Sequence, residues 1–565
     1  MNENTKKFIS LLTKNNTKTA YSINEFWIEL ESIETTEYTS LSKESALKDI
    51  CEKLKEENAI AHMSKQAIDE KIISLKTKTE KYTCKKTIFY KNTNYMFFID
   101  SSSNLSFIYV SGFYSGFAVV DIKENKLSVI FGNRKTLKAT YISFLRFIYD
   151  SLPEFTSYYH SINDSEFGGF LVSNSRPFHF FYDILPGLET IENLVNKSES
   201  LDCTETPILY DPQKSFFEPA LIFNKNFNAI KTTNLDELFI KHKTKFYISP
   251  AINHQFISNN EKLRDSLDSK AFNSSIETYG DTIKPLKTNK NGIIIWIGIT
   301  SQKRIWLNQE SSIVSLLNAL ADTIENITVF FDGWTSCLEQ SNTDIENTRN
   351  DLSIYHSIDE QLDSRINTTS LIGMTSAEKI AYGSIVDVFI ANHSAGSLHI
   401  SRLCKKSGIS HINTAMEHEF QWHYDTELLP SKCIKNILDN KKNTIGAIGV
   451  DYIVDFKCLS KTFINKLISL GLISSTELVE KFISRSLLNY EKIKSAQKNI
   501  SAFSSLKITP ESKAPDLLRD IAIAFEKSND IKTAYEIMKV AKQLRPAGGY
   551  INKKLIEYKI ILTKK

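Results

Sequence analysis

The sequence predicts an α/β protein with a helical N-terminal segment and a helical C-terminal tail. After residue 292, continuous apolar runs such as GIIIWIGIT alternate with amphipathic helical patterns, as in a parallel sheet covered by helices on both faces. Residues 84–131 are rich in aromatic and β-branched residues separated by turn residues, which is typical of strands. Residues 1–80 and 445–565 carry apolar residues at spacings of three and four, which indicates helices.

Four regions follow from these patterns. They are a polar helical segment (1–83), a first α/β domain (84–282), a second α/β domain (283–440) and the helical tail (441–565). The boundary between the two α/β domains is predicted from DTIKPLKTNKNG, which is polar and contains Pro and Gly. The tail holds one helix pair similar to a tetratricopeptide unit, with Pro546 after its second helix. One copy does not build a solenoid, so packing as a cap and recruitment of a partner both stay open.

The second α/β domain is predicted element by element. Its strands are GIIIWIGIT, NITVFFDGW, TTSLIG, VDVFIAN and ISHINT, and its helices are SSIVSLLNALADTIE, SAEKIAYGSI and SLHISRLCKKSG. Strand–helix alternation at this spacing favours right-handed parallel crossovers. The first α/β domain mixes a helix, TYISFLRFIYDSL, with strands such as GGFLVSN, TPILYDP and KFYISP.

Composition limits the classes of function. The chain has 565 residues, 41% of them hydrophobic and 24% charged, with a net charge of +3, so no charge excess indicates a nucleic-acid partner. Its seven cysteines are scattered without CxxC, which favours reduced cytosolic thiols. The first 18 residues are too polar for a signal peptide, and no apolar run approaches 18 residues. We therefore expect a cytoplasmic protein.

Ligands of open parallel sheets bind beyond the carboxyl ends of the strands. Five loops should therefore meet in one crevice. They are TSQKRIW (300–306), DGWTS (332–336), GMTSAE (373–378), NHSAGS (392–397) and NTAMEHE (413–419).

Two of these loops have the chemistry of phosphate binding. In the first, Gly373 precedes Thr375 and Ser376, either of which can cap a helix whose N–H groups face an anion. In the second, small residues let a ligand approach the backbone before another helix; they are Ser394, Ala395, Gly396 and Ser397. Arg304 could add a charged hydrogen bond to the same anion. The alternative is that these are ordinary loops and that Arg304 is a surface charge.

Other nucleotide motifs do not occur. The first strand is not followed by GxGxxG, which disfavours NAD and FAD, and the chain contains no GxxxxGK[ST]. It also contains no D-x-D, the metal-binding pair usual in glycosyltransferases with a single Rossmann domain. We expect no cofactor.

Residues 391–424 hold five of the eleven histidines. They contain neither HExxH nor a tight His-x-His pair, so a metal site is disfavoured. His393 and His399 are candidates to line a ligand pocket, and His411 is the most typical core residue. Glu417 and His418 are assigned to the same pocket. Packing or surface positions remain the alternative for all of these histidines.

In the first domain, SNSRPFHFFYDILPGL places Arg176, His179 and Asp183 close together after a strand. His179 and Asp183 are four residues apart and would share one face of a helix. A carboxylate beside a histidine orients the ring and raises its basicity, so the pair could deprotonate a hydroxyl group. The alternative is a core histidine among Phe178, Phe180, Phe181 and Tyr182.

Short segments resemble known glycosyltransferases. RPFHFFYDILPGL and NHSAGSLHI are similar to stretches of family 61 glycosyltransferases, with His393, Ala395 and Gly396 matching and Ser394 replacing a glycine. The run from residue 370 to 401 resembles the donor-domain end of bacterial heptosyltransferases. The matching positions are Gly373, Thr375, Ser376 and His399. His393 stands where that family has an acidic residue. IWIGITSQKRIWLNQ and ITVFFDGWT look like a segment of bacterial polysaccharide-biosynthesis proteins.

The resemblance implies a metal-independent transferase with two Rossmann-like domains (GT-B type). The nucleotide sugar would lie on the C-terminal domain and a glycan or glycolipid acceptor, from lipopolysaccharide or capsule, on the N-terminal one near Arg176. His179 with Asp183 would be the base, and Asp332 a reserve base or a ribose ligand. Two competing hypotheses remain. In the first, the chain is an interaction protein whose helical ends bind a protein partner or the inner face of the membrane. In the second, it is a transferase that moves another phosphate-linked group.

Overall fold

The structure is a computed structural model. It describes residues 33–42, 45–56, 58–102, 105–112, 116–161, 165–197, 206–223, 227–253, 259–288, 292–393, 395–416, 422–437, 450–473, 476–504, 514–527 and 530–563. These residues form three larger sheets and a two-stranded ladder, surrounded by helices. The predicted α/β class is confirmed.

The first sheet is mainly antiparallel, with strand order β1-β7-β6-β5-β4-β3-β2. Its strands are Glu34–Glu37 (β1), Ile73–Lys76 (β2), Lys81–Tyr90 (β3), Thr93–Ile99 (β4), Leu105–Gly112 (β5), Gly116–Asp121 (β6) and Lys126–Gly132 (β7). Its helices are the 3-10 turn Tyr38–Ser40, Ala46–Leu54 (α1), Ala59–Glu70 (α2), Arg134–Asp150 (α3) and Leu152–His160 (α4). Asn133 caps α3 by accepting from the backbone N–H groups of Lys135 and Thr136.

The prediction of an all-helical segment at 1–83 is wrong for its described part. Helices α1 and α2 form there, but β1, β2 and the start of β3 belong to the sheet, and the predicted boundary at residue 83 falls inside β3. Strands of four residues, such as ETTE and ISLK, are too short to show an alternating pattern. Residues 1–32 lie outside the described residues.

The second sheet is parallel, with order β10-β9-β8-β11. Its strands are Glu166–Val172 (β8), Pro207–Tyr210 (β9), Asn228–Lys231 (β10) and Lys245–Ile248 (β11). A continuous helix, α5, follows β8 as Pro177–His179, a π-helical turn at Phe180–Ile184, and Leu185–Asn196. Shorter helical pieces are Pro212–Lys214, Ala220–Phe223 (α6), Leu235–Glu237 and Leu238–Lys241 (α7).

The third sheet is also parallel, with order β14-β13-β12-β15-β16-β17. Numbered from its own first strand, this is the order 3-2-1-4-5-6 of a doubly wound sheet. The strands are Ile293–Gly298 (β12), Ile327–Asp332 (β13), Ile366–Ser370 (β14), Val388–Asn392 (β15), Gly408–His411 (β16) and Thr426–Leu428 (β17). The helices are Gln309–Ala321 (α9), Asn342–Asp359 (α10), Ser376–Gly383 (α11), a 3-10 turn at Ala395–Ser397 and a π-helical turn at Leu398–Leu403.

The five predicted strands of this sheet are confirmed. Every residue of β12 and β15 is buried, as continuous apolar runs require when helices cover both faces. Strand β17 and helix α10 were not predicted. The three-residue β17 has two exposed residues, and α10 is polar around most of its surface, so neither has the expected periodicity.

The predicted boundary at 282/283 lies inside a helix. Glu261–Thr288 (α8) runs through most of DTIKPLKTNKNG and packs against α5, on the second sheet, and α11, on the third. Buried residues from both sheets form one continuous hydrophobic core. The polar composition of this stretch therefore marks a solvent-facing helix rather than a linker.

A two-stranded ladder precedes the helices of the tail, and its second strand lies within the region predicted as helical. Ile434–Ile437 (β18) pairs antiparallel with Asp451–Val454 (β19), and a 3-10 turn at Ser431–Cys433 precedes them. The helices are Phe456–Ser469 (α12), Thr476–Ser504 (α13), Ala514–Lys527 (α14), Ile531–Leu544 (α15) and Gly549–Thr563 (α16). Helix α13 packs on α9 of the third sheet, whereas α14, α15 and α16 share a small core of their own. Pro546 follows the end of α15, as predicted.

Cys433 and Cys458 form a disulfide across this region. The prediction that the cysteines are all reduced thiols is wrong for this pair, which is separated by 25 residues and comes together through the β18–β19 ladder. The other described cysteines, Cys51, Cys84, Cys337 and Cys404, are buried thiols. Over the described residues, no helix has the length and apolar character needed to cross a membrane.

Candidate active site

A cleft of about 1010 Å³ opens at the carboxyl ends of both parallel sheets. The third sheet contributes loops that follow β12, β13 and β15, and the second contributes the loop and first turn that follow β8. In the third sheet the chain order reverses between β12 and β15, so their loops leave in opposite directions and a crevice remains between them. The predicted crevice is therefore present, and a second parallel sheet faces it.

His179 and Asp183 form a hydrogen-bonded pair on the wall built by the second sheet. Arg176 is the last extended residue before α5, and Pro177 opens the helix, which places His179 in its first turn. His179 Nδ1 lies 2.7 Å from Asp183 Oδ2, with 21% of the histidine side chain exposed and none of the aspartate. A carboxylate that accepts the Nδ1 proton directs the basic lone pair to Nε2. The predicted contact between the two residues is confirmed.

Three of the cations that line the cleft come from its two parallel sheets. Arg176 comes from the wall after β8, and Lys303 and Arg304 come from the loop after β12. No acidic side chain within the described ranges forms an ion pair with any of them, and Arg304 Nε is buried without a hydrogen-bond partner there. Burial, together with the charges of Arg176 and Arg304, lowers the pKa of Lys303. Like charges held together in a cleft without a counter-ion provide a binding site for an anion.

The loop that carries Arg304 is held from behind by β19. Arg304 has a left-handed backbone, with φ +54°. Ile305 N donates to Asp451 Oδ1 at 2.9 Å, and Tyr452 N donates to Ile305 O at 3.0 Å. These two hydrogen bonds of Ile305 hold Arg304 in its left-handed backbone conformation, which few non-glycine residues adopt.

Asp332 ends β13 and lines the cleft, but it is already paired. Lys379 Nζ lies 2.5 Å from Asp332 Oδ1 and also donates to Gly333 O, Trp334 O and Thr335 Oγ1, each at 3.0 Å. Both side chains of the ion pair are at most 5% exposed. Burial raises the pKa of the Asp332 carboxyl, and Lys379 opposes that rise. Because Oδ1 is already held by the Lys379 ammonium group, the geometry disfavours Asp332 as a reserve base. The pair shapes the loop after β13.

The predicted phosphate loop at Gly373 packs away from the cleft. Thr375 caps α11 as expected, but Glu378 completes a capping box and places its own carboxylate at the helix N-terminus. Ser376 Oγ lies 2.9 Å from His399 Nε2, and both residues are buried. None of the described cleft-lining residues comes from this group, and Gly373, with φ +81°, closely approaches Thr348 instead. An acidic residue at the helix start competes with a bound anion.

His393, His411 and His423 are not among the described residues that line the cleft. His393 Nδ1 is 2.8 Å from Ser410 Oγ, and its ring centroid is 3.7 Å from that of His423. Ser397 Oγ lies 3.3 Å from His423 Nδ1. His411 is a core residue as predicted, with Nδ1 2.8 Å from Tyr452 Oη, and burial lowers its pKa to about 3.

Ala395 and Gly396 line the cleft as predicted, next to Asn392 at the end of β15. Ser394, Glu417 and His418 lie outside the described residues. In the part of the chain that the structure describes, no cluster of three His, Cys, Asp or Glu side chains could hold a metal ion.

Lys303 and Trp334 line the cleft from two of the loops predicted to meet there, 300–306 and 332–336. Two lining residues, Asn174 and Asp351, were not predicted, and Asn174 lies two residues before the predicted Arg176. Asp351 comes from the unpredicted helix α10 and accepts hydrogen bonds from Ser301 Oγ at 2.5 Å and Trp334 N at 2.6 Å. The position after a strand, the signal that placed the loops of Lys303 and Trp334 in the crevice, could also have identified Asn174.

Comparison of the chain with protein-family models and with curated proteins gives no match. The functional assignment therefore depends on the cleft itself.

Proposed function

We propose that this chain is a metal-independent glycosyltransferase of the GT-B type, which transfers a sugar from a nucleotide sugar to a hydroxyl group of a surface glycan. The proposal depends above all on Arg176, Lys303 and Arg304, three cations without acidic partners in the described part of the cleft. A nucleoside diphosphate carries the charge and the oxygen acceptors that two guanidinium groups and an ammonium group would bind.

The arrangement of the sheets supports the same class. Two parallel sheets present the carboxyl ends of strands to one cleft, the third sheet with Arg304 and the second with His179. A donor phosphate against Lys303 and Arg304 would place the sugar between the two sheets. An acceptor bound on the side of the second sheet would then meet it there.

His179 is the proposed general base. Its Nε2 would take the proton of the acceptor hydroxyl while that oxygen bonds to the anomeric carbon of the donor. The bond between the anomeric carbon and the phosphate oxygen breaks, and the nucleoside diphosphate leaves with the electron pair. Asp183 stabilises the imidazolium that forms. Arg176 and Arg304 stabilise the negative charge that develops on the leaving group.

The biological setting is proposed on the sequence resemblance alone. It is the synthesis of lipopolysaccharide or capsule in the cytoplasm, at or near the inner face of the membrane. The tetratricopeptide-like helices α14 and α15 would serve there as a cap or as a contact for a partner.

A ligand screen tests the proposed function. The full-length protein is mixed with UDP, GDP, CMP, ADP and dTDP, and binding is measured by thermal shift and by calorimetry. We expect one nucleotide to stabilise the protein and its sugar conjugates to be hydrolysed slowly in the absence of an acceptor. If no nucleotide binds at millimolar concentration, the transferase is excluded in favour of an interaction protein.

A further inference from the structure

The cleft has a third wall, which comes from the antiparallel sheet. The turn between β3 and β4 contributes Tyr90, Lys91, Asn92 and Thr93. One face of α3 contributes a stripe at helical spacing, with Thr136, Ala139, Thr140 and Ser143. This wall lies beyond the two parallel sheets that carry the proposed donor site and base.

The wall is held firmly against the second sheet. Asn94 Nδ2 donates to Ser249 O at 2.9 Å, and Ser249 N donates to Asn94 Oδ1 at 2.8 Å, with both residues buried. Lys91 Nζ donates to Ser143 Oγ at 3.1 Å, which ties the turn to α3. A binding surface fixed in this way loses little entropy when a ligand binds.

Asn174 supplies a separate indication of a ligand. It lines the cleft with only 2% of its surface exposed. Its Oδ1 accepts from Arg176 N at 2.9 Å, whereas Nδ2 has no hydrogen-bond partner among the described residues. A buried amide donor without a partner is costly. A ligand oxygen in the cleft would satisfy it.

The chemistry of the third wall differs from that of the cation cluster. Its described polar groups are the hydroxyls of Thr93, Thr136, Thr140 and Ser143 and the amide of Asn92, with Lys91 as the single charge and Tyr90 as the aromatic ring. Neutral donors and acceptors next to an aromatic ring suit a sugar, whose hydroxyls both donate and accept and whose ring carbons are apolar.

We propose that the acceptor is the neutral, hydroxyl-bearing end of a glycan, bound between Asn174 and the hydroxyl face of α3. The inference rests on the proposed transferase function and names the acceptor class for it. Asn174 Nδ2 would donate to an acceptor oxygen next to His179. Thr140 and Ser143 would bind hydroxyls further from the reacting atom.

Binding of simple glycosides tests this inference. The probes are the methyl glycosides of glucose, galactose, mannose and N-acetylglucosamine, measured by saturation-transfer NMR on the full-length protein with the nucleotide that stabilises it. We expect at least one glycoside to bind. Asn174→Asp keeps the oxygen that accepts from Arg176 N but removes the amide donor, and Thr140→Val removes one hydroxyl without changing the size of the side chain. Each should weaken glycoside binding about tenfold, the usual effect of one neutral hydrogen bond.

Controls separate the two proposals. Thr39→Val, at an exposed position outside the cleft lining, should leave glycoside binding unchanged, and thermal melting reports whether each variant folds. Binding of a nucleotide but of no glycoside would overturn the acceptor assignment while leaving the donor site intact. Glycoside binding that neither Asn174→Asp nor Thr140→Val weakens would place the acceptor elsewhere. Absence of nucleotide binding would instead count against the transferase itself.

Discussion

The guanidinium of Arg402 forms a bidentate ion pair with the carboxylate of Asp268, at 2.8 to 3.1 Å, with both side chains at most 1% exposed. Arg402 lies in the π-helical turn after β15, and Asp268 lies in α8. Arg402 Nη1 also donates to Phe181 O at 3.3 Å, in the π-helical turn of α5. This one side chain therefore connects the helices behind both halves of the cleft.

Removing Arg402 should strongly destabilise the fold. Arg402→Ala leaves the Asp268 charge buried without its partner, which typically costs about 3–5 kcal/mol. Urea denaturation measures the loss. Replacing both partners, as Arg402→Met with Asp268→Leu, should recover much of it. Lys539→Ala removes one exposed ion pair, with Glu536, and should cost less than about 1 kcal/mol, so equal losses in the two single variants would contradict the assigned role of Arg402.

Removing the base should abolish turnover without unfolding the protein. His179→Ala should lower the rate of nucleotide release from the donor about 10²–10⁴-fold, the usual contribution of a general base. Asp183→Asn should lower it less, because the ring remains but loses the carboxylate that orients it. His356→Ala, at an exposed histidine of α10, is the matched control. A normal rate in His179→Ala would exclude His179 from the mechanism.

Arg304 should contribute mainly to donor binding. A hydrogen bond to a charged group contributes about 1.5–3 kcal/mol, so Arg304→Ala should raise the Kd of the bound nucleoside diphosphate about 10- to 100-fold, as measured by calorimetry. Arg349→Ala removes an exposed arginine of α10 that lies outside the cleft lining and should leave the Kd unchanged. An equal effect of the two substitutions would indicate a general charge effect rather than a site.

Acid should destabilise the fold through His411. Its pKa in the fold is lowered to about 3 by burial, whereas in the unfolded chain it is about 6.5. The unfolded state therefore binds a proton first as the pH falls below about 6.5. Stability is complete above that pH and decreases by up to about 1.4 kcal/mol per pH unit below it. Urea midpoints between pH 7.5 and pH 4.5 measure the decrease, which should be shallower in His411→Asn.

Reduction of the disulfide should also lower stability. Opening a crosslink of this kind typically costs about 2–4 kcal/mol. Dithiothreitol should therefore lower the melting temperature of the wild-type protein but not that of Cys458→Ser. Disulfides are uncommon in reducing compartments, so thiol alkylation of freshly lysed cells would show which form is present there. A wild-type melting temperature that reductant leaves unchanged would show that this bond does not stabilise the fold.

The features that depend on local sequence pattern were predicted best. The run IIIWIG could be predicted as a buried strand because a parallel sheet buries both faces, and the contact of His179 with Asp183 follows from a spacing of four in a helix. The α/β class and the position of the crevice follow from the same regularities.

The remainder depends on contacts between distant parts of the chain. Asp332 looked like an open carboxylate at a strand end, and only the fold brings Lys379, 47 residues later, against it. Gly373 and Thr375 had the composition of a phosphate loop, but a capping carboxylate three residues after Thr375 occupies the helix end. The third wall could not be predicted, because the packing of the antiparallel sheet against β11 depends on pairs such as Asn94 and Ser249, which are 155 residues apart.

Helix α8 also limits how the cleft can move. At 1.5 Å per residue its 28 residues extend over about 42 Å, and they pack against helices of both parallel sheets. Bending the chain at 281–288 would break that packing, so this connection is poorly suited to act as a hinge of the kind that closes many two-domain enzymes. We therefore expect the distance between the two sheets to change little when a ligand binds in the cleft.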